Sequence, residues 1–107
     1  MFNGYNAATT SIELSTKSVV EFASDTTVFF TAYIVGKGQS FNAAYEVKGC
    51  RRNNQIIDGV VNTYMNTSIN VLDPIVSFNL NNTISIKCHN QTTEPIEWAA
   101  VIDCVTI

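Results

Sequence analysis

Side chains with catalytic or metal-binding chemistry are few in this 107-residue chain. It has one histidine, His89, and three cysteines, Cys50, Cys88 and Cys104. Adjacent residues of a strand point to opposite faces, so Cys88 and His89 would neither form a dyad nor share a metal ion. The cysteines lack the Cys-x-x-Cys spacing of a zinc ribbon, and an odd number cannot all close into intrachain disulfides. We therefore predict no metal and no cofactor.

The acidic residues also give no recognisable catalytic pair. Glu94, Glu97 and Asp103 occur late in the chain, and a glycosidase would need two carboxylates at a fixed separation. Acids beside turns more often serve as solvated surface charges. Gly36-Lys37-Gly38 is interpreted as a turn and not as a phosphate-binding loop. We expect a protein that is not an enzyme.

Tyr64, Arg51 and Arg52 are the candidate ligand-binding residues. Arg51-Arg52 is the only basic pair in the sequence, and it lies at a predicted strand end before a turn. There it would meet an anionic sugar or an acid of a partner, although a solvated strand end is the simpler interpretation. Tyr64 lies near a predicted loop and is the aromatic residue least committed to a core, so its ring is free to stack on a sugar.

The composition excludes several classes of function. The net charge is -3 and the isoelectric point is near 4.8, whereas a nucleic-acid-binding domain normally carries a basic patch. No apolar stretch approaches the ~18 residues that a membrane helix needs, and the first residues do not resemble a signal peptide. Three thiols fit synthesis in a reducing cytoplasm. We predict that the chain binds neither nucleic acid nor membrane.

Apolar residues alternate with polar ones along most of the chain, which predicts strands. The clearest strands are predicted at Thr27–Gly36, Phe41–Arg52 and Ile96–Ile107. Eight to nine strands, with frequent turns between them, are typical of an antiparallel β-sandwich of jelly-roll-like type. We therefore predict an all-β fold in which residues 1–107 form a single domain.

Shorter strands and turns complete this prediction. The shorter strands are expected at Ser11–Thr16, Ser18–Ala23, Val60–Met65, Ser68–Leu72, Ile75–Leu80 and Thr83–His89. Asn53-Asn54 and Asp58-Gly59 are predicted turns, and Asp73-Pro74 is expected to break the chain. Asn81-Asn82 is a predicted two-residue hairpin turn, because asparagine tolerates the positive φ that such turns need.

Trp98, Cys88 and Cys104 are predicted to be buried. Trp98 and Cys104 share one face of the final strand, and Cys88 alternates in phase with Ile86. Small thiols often behave as buried apolar groups. Cys50 lies in phase with charged residues and is expected to be more exposed.

Two of the predicted strands are apolar on both faces. A sandwich of this size has one inner face in each sheet, and the chain is too short to cover the outer face with its own residues. We expect copies of the chain to cover that face, although a few exposed aliphatic residues are also common. The predicted interface residues are Phe29, Tyr33, Val35, Ala99, Val101, Val105 and Ile107.

From Thr27 onward the order of elements resembles the small β-sandwich domains of virion structural proteins, especially those of phage tail fibres and capsid appendages. The resemblance rests on FTAYIV at Phe30–Val35, YEVKGCRR at Tyr45–Arg52, TISIKC at Thr83–Cys88 and IEWAAVI at Ile96–Ile102. Such domains often end in an alternating strand, a tight loop and an Ile-x-Trp strand. Their loop before the tryptophan strand commonly contains glycine, whereas this chain has NQTTEP there.

This resemblance implies a homotrimeric structural or receptor-facing virion module. The predicted protein is a virion structural or attachment protein that assembles with itself, contacts other virion proteins and binds a host-surface glycan or receptor. Its expected location is the virion, after synthesis in the host cytoplasm. The alternative prediction is a monomeric carbohydrate-binding module, which would present exposed aromatic residues on a flat or grooved face.

Overall fold

The computed structural model describes residues 2–6, 10–16, 26–52, 55–66, 71–78 and 83–107. Nine strands and no helix lie in this part of the chain. The strands are β1 (Phe2–Asn6), β2 (Thr10–Glu13), β3 (Ser15–Thr16), β4 (Val28–Lys37), β5 (Asn42–Arg52), β6 (Gln55–Asn66), β7 (Val71–Phe78), β8 (Ile84–Asn90) and β9 (Ile96–Thr106).

The described strands form two antiparallel sheets that pack against each other. The large sheet has the order β3-β1-β9-β4-β5-β6, and the small sheet has the order β2-β8-β7. β4 is the centre of the large sheet, because all ten of its residues pair with both β5 and β9. The predicted all-β, antiparallel sandwich is confirmed.

The hydrophobic core lies between the two sheets. Val28 and Ile34 of β4 are fully buried, and Trp98 of β9 lies on the same side of the large sheet. The small sheet contributes Ile86 and Cys88, which are also fully buried. Every second residue of β4 enters this layer, and removal of the apolar surface of the core residues from water is the main force that holds the sheets together. The predicted burial of Trp98 and Cys88 is confirmed.

Cys104 is exposed, so the prediction that it is buried is wrong. It lies in phase with Trp98, but β1 pairs with β9 only from Ile96 to Ala100. Beyond Ala100 the described part of the chain gives β9 a neighbour on the β4 side alone. The alternation therefore places Cys104 on the correct face of β9. It does not indicate that this end of the face is left exposed to solvent. Cys50 is half-buried.

Pro74 does not break the chain where a break is predicted. β7 runs through it from Val71 to Phe78, and its pairing with β8 shifts between Leu72 and Ile75. A bulge at this point accommodates a residue that has no N–H to donate. β7 is also the outer strand of the small sheet, which is where proline is tolerated in sheets.

The predicted turn at Asp58-Gly59 is also a bulge. β6 is continuous there, and its pairing with β5 shifts between Lys48 and Cys50. The sequence reasoning also missed β1, in which polar residues surround a single glycine, Gly4. The predicted strand at Ser18–Ala23 and the turns at Asn53-Asn54 and Asn81-Asn82 lie outside the described residues.

Replacing Gly36 with alanine is expected to destabilise the fold. A Cβ atom at Gly36 would lie 2.6 Å from Cζ3 of the Trp98 ring, so the buried indole would have to shift. Overpacking of this kind costs roughly 1–3 kcal/mol of unfolding free energy, which urea denaturation measures. Lys37→Ala, at the exposed neighbouring position, is the control and is expected to change stability by less than about 0.5 kcal/mol. Equal stability of Gly36→Ala and wild type would contradict this packing.

Candidate functional site

The outer face of the large sheet, which points away from the small sheet, brings the predicted interface residues together. Phe29 pairs with Val105, Tyr33 with Val101, and Val35 with Ala99. These pairs are direct neighbours across β4 and β9, and together with Ile107 they form what we call the apolar stripe. Phe29 is 50% exposed and Val105 is 66% exposed, so large apolar side chains of the stripe face water.

The apolar stripe is long and narrow. Thr27 and Ile107 exchange two backbone hydrogen bonds, with N···O distances of 2.9 and 3.0 Å, and so continue the pairing of β4 with β9 to the last residue. From Ala99 to Ile107 the stripe covers nine residues, or about 30 Å along the strands, whereas two strands are only about 10 Å wide. Within the described residues, no element covers this surface.

One row of polar residues interrupts the apolar stripe. Thr31 of β4 pairs with Asp103 of β9 on one side and with Lys48 of β5 on the other. We call these three residues the polar row. They lie between the Phe29–Val105 pair and the Tyr33–Val101 pair, so a charge of each sign flanks the middle of the stripe.

Glu46 of β5 holds the side chains beside the stripe in place. The Glu46 side chain is 12% exposed, and its carboxylate accepts a hydrogen bond of 3.1 Å from the Tyr64 hydroxyl and lies 3.2 Å from the Lys48 ammonium. The hydrogen bond to Glu46 and the negative charge of Glu46 raise the pKa of Tyr64 and that of Lys48. An exposed ion pair adds little stability, but together the contacts fix the position of the Tyr64 hydroxyl.

Tyr64 lies on this surface and is 68% exposed. It lies at a shift in the pairing of β5 with β6, where Tyr45 pairs with Thr63 and Ala44 pairs with Met65. The extra residue of a bulge re-aims its side chain. The exposure of Tyr64 is confirmed, and its role in ligand binding stays a prediction.

Arg51 lies elsewhere. It pairs with the buried Val28 on the inner face, is 3% exposed, and donates a hydrogen bond of 3.4 Å to the carbonyl oxygen of Thr26. It therefore contacts the chain itself and is not part of the surface that carries Tyr64. Arg52 ends β5. Along β5, Arg51 is six residues from the partner of Thr63, or about 20 Å, so the structure does not bring the arginine pair to Tyr64.

Two loops that the sequence predicts separately are tied together at one end of the large sheet. The Glu94 carboxylate accepts hydrogen bonds from the backbone N–H and the hydroxyl of Ser40, at 3.2 and 2.8 Å. The buried Asn90 donates to the carbonyl oxygen of Glu94 at 2.8 Å and accepts from the Thr92 N–H at 2.9 Å. The residue types suggested loops, but nothing local in the sequence indicates that Glu94 reaches Ser40.

An open groove of about 570 Å³ lies at this end of the outer face. Its lining includes Val35, Ala44, Ala99, Lys37, Asn42 and Glu97. The two alanines leave room above the sheet, and the polar residues form a rim around an apolar floor. The groove continues the apolar stripe toward the tied loops.

The described residues show neither a metal site nor a membrane helix. No group of three His, Cys, Asp or Glu side chains among them comes close enough to hold a metal ion. No helix in the same part of the chain is long and apolar enough to cross a membrane.

The fold is similar to part of a phage protein. No protein-family model matches this chain, and no curated protein sequence matches it. Among solved structures, the chain is similar to the Acinetobacter phage vB_ApiP_P1 tailspike protein, with a TM-score of 0.51 and 8% sequence identity. The likeness covers 99% of this chain and 21% of the tailspike chain, so this chain spans about a fifth of the length of the protein it resembles. At this identity the likeness shows a shared fold.

Replacing Glu46 with glutamine is expected to lower the pKa of Tyr64 toward its ordinary value. Glutamine still offers an oxygen to the hydroxyl but no longer repels the phenolate, so the phenolate forms at lower pH. Carbon-13 nuclear magnetic resonance of the tyrosine rings measures this titration residue by residue. Glu97→Gln is the control and is expected to leave the pKa of Tyr64 unchanged. An unaltered titration in Glu46→Gln would contradict the contact.

Proposed function

We propose that this chain is a non-enzymatic virion structural protein whose copies assemble as a homotrimer through the apolar stripe. The exposure of the stripe is the observation that carries this proposal. Contiguous exposed apolar surface is unfavourable in water and commonly marks a protein–protein contact. A second and third copy supply the cover that the described chain does not provide for itself.

Placement in the virion rests on two likenesses. The sequence resembles small β-sandwich domains of phage tail fibres and capsid appendages, and the fold is shared with part of a phage tailspike protein. The trimeric state is what the sequence resemblance to fibre and appendage domains implies. Other virion proteins are the further partners that this location implies, and the host cytoplasm is the place of synthesis.

A role in host attachment is the second part of the proposal. The exposed ring of Tyr64, held by Glu46, offers an apolar plane beside fixed hydrogen-bonding groups, which suits a host-surface glycan or a receptor side chain. Tyr5, which pairs with Glu97 on the outer face, is 58% exposed. These two exposed rings are also the observation that favours the alternative function, a monomeric carbohydrate-binding module.

Replacing Val101 with aspartate is expected to prevent self-assembly while the fold is retained. Position 101 lies two residues from Asp103 on the same face of β9, so assembly of Val101→Asp would bury two neighbouring negative charges between copies. Sedimentation velocity of the wild type is expected to show a species of three times the 11.8 kDa protomer, and Val101→Asp is expected to sediment as a monomer with an unchanged thermal transition. Ile75→Asp is the matched control, because Ile75 is an exposed apolar residue of the small sheet. A wild type that stays monomeric at high micromolar concentration would support the carbohydrate-binding module instead.

Replacing Tyr64 with alanine is expected to weaken glycan binding by about tenfold, which corresponds to a loss of about 1.4 kcal/mol. A glycan array probed with the assembled wild type and with Tyr64→Ala measures this difference. Thr63→Ala, at the exposed neighbouring position, is the control. Equal glycan signals for wild type and Tyr64→Ala would rule out the tyrosine as a contact.

A further inference from the structure

The outer face can be described as rows that run across the strands. Residues directly opposite each other in an antiparallel sheet lie at the same height along the strands, and each row holds one residue of β9, one of β4 and one of β5. The rows are Ala99–Val35–Ala44, Val101–Tyr33–Glu46, Asp103–Thr31–Lys48 and Val105–Phe29–Cys50.

The shape of the apolar stripe limits how copies can share it. Because the stripe is about three times longer than it is wide, three copies bury its full length together only if it runs along their common axis. Rotation about an axis parallel to the strands keeps every residue at its own height. The β9 side of each copy then meets the β5 side of its neighbour, row against row.

The two sides match each other in this arrangement. Ala99 would meet Ala44, and two small side chains allow close approach of the strands. Val105 would meet Cys50, which is an apolar contact. In the row that remains, Val101 would meet Glu46, whose carboxylate already contacts Lys48 and the Tyr64 hydroxyl within its own copy.

We infer that copies of this chain pack with their apolar stripes parallel, and that Asp103 of one copy forms an ion pair with Lys48 of the next copy. This inference rests on the proposed self-assembly and adds the orientation and register of the copies to it. Asp103 is exposed, and the Lys48 side chain is 59% exposed. The Lys48 ammonium has three N–H donors, so it can contact Glu46 and Asp103 of the neighbour together.

The polar row gives the interface a register. Apolar side chains alone would allow the copies to slide along the stripe, whereas a polar position within an apolar interface fixes the alignment of the partners. Antiparallel face-to-face packing centred on the polar row would set Asp103 against Asp103 of the second copy. Like charges brought together at an interface are strongly unfavourable, so the same row disfavours that orientation.

A charge exchange in the full chain tests this inference. Asp103→Lys and Lys48→Asp each place like charges in the polar row, and each is expected to raise the concentration needed for half-assembly by about tenfold or more. The double exchange is expected to return the concentration needed for half-assembly to within about threefold of the wild-type value. All three variants are also made together with Glu46→Gln, which removes the carboxylate that an aspartate at position 48 would repel inside one copy. Sedimentation velocity over a concentration series measures assembly, and thermal unfolding checks that each protomer folds.

Glu13 and Lys87 are the matched control pair. They pair with each other across β2 and β8, and both are exposed on the small sheet. Glu13→Lys and Lys87→Glu are expected to leave assembly unchanged. Suppose that the wild type assembles, the single variants fold, and the double exchange does not restore assembly. That result overturns this inference and leaves the proposed self-assembly intact. A wild type that does not assemble overturns both.

Discussion

The pairing of β4 with β5 on one side and β9 on the other is the constraint on which the rest of the structure depends. It runs without interruption over ten residues on each side. Because side chains alternate across a strand, this pairing fixes two surfaces at once. One surface carries Val28, Ile34 and Trp98 into the core. The other carries the apolar stripe outward, and the small sheet cannot cover both.

The proposed interaction surface therefore follows from the fold and needs no separate element. In the proposed assembly the apolar residues of the stripe supply area, and the polar row supplies alignment. Glu46 has a third role, because it holds Tyr64 beside the stripe. The surfaces proposed for self-association and for contact with a host molecule thus lie next to each other on one face. Copies that pack through the stripe would each present a tyrosine along the flank of the assembly.

Alternation in the sequence was enough to predict β4, the faces of β4 and β9, and every residue of the apolar stripe. The pattern has a period of two and depends on neighbouring residues alone. What it could not predict depends on distant parts of the chain. Cys104 has the phase of a core residue but lies where β1 no longer flanks β9. Arg51 is charged and was therefore expected at the surface. Its pairing with the buried Val28 places it on the inner face instead.

Two predicted turns were wrong because the outcome at each depends on a distant strand. Asp58-Gly59 and Asp73-Pro74 are turn sequences in isolation, but pairing with a long neighbouring strand converts each into a bulge within a continuous strand. The contact of Glu94 with Ser40 spans 54 residues and has no local signature. The exposure of Tyr64 was expected because the residue lies near a predicted loop, which is a local property of the sequence.

The central claim is that the apolar stripe faces water in one copy and is buried between copies. Hydroxyl-radical footprinting of the unmodified protein over a concentration series tests it directly, since Phe29 and Tyr33 are aromatic and exposed in the protomer. The account predicts that labelling of both residues falls as concentration rises, while labelling of Ile75 on the small sheet stays constant. Labelling of Phe29 and Tyr33 that is equally strong at every concentration would contradict it.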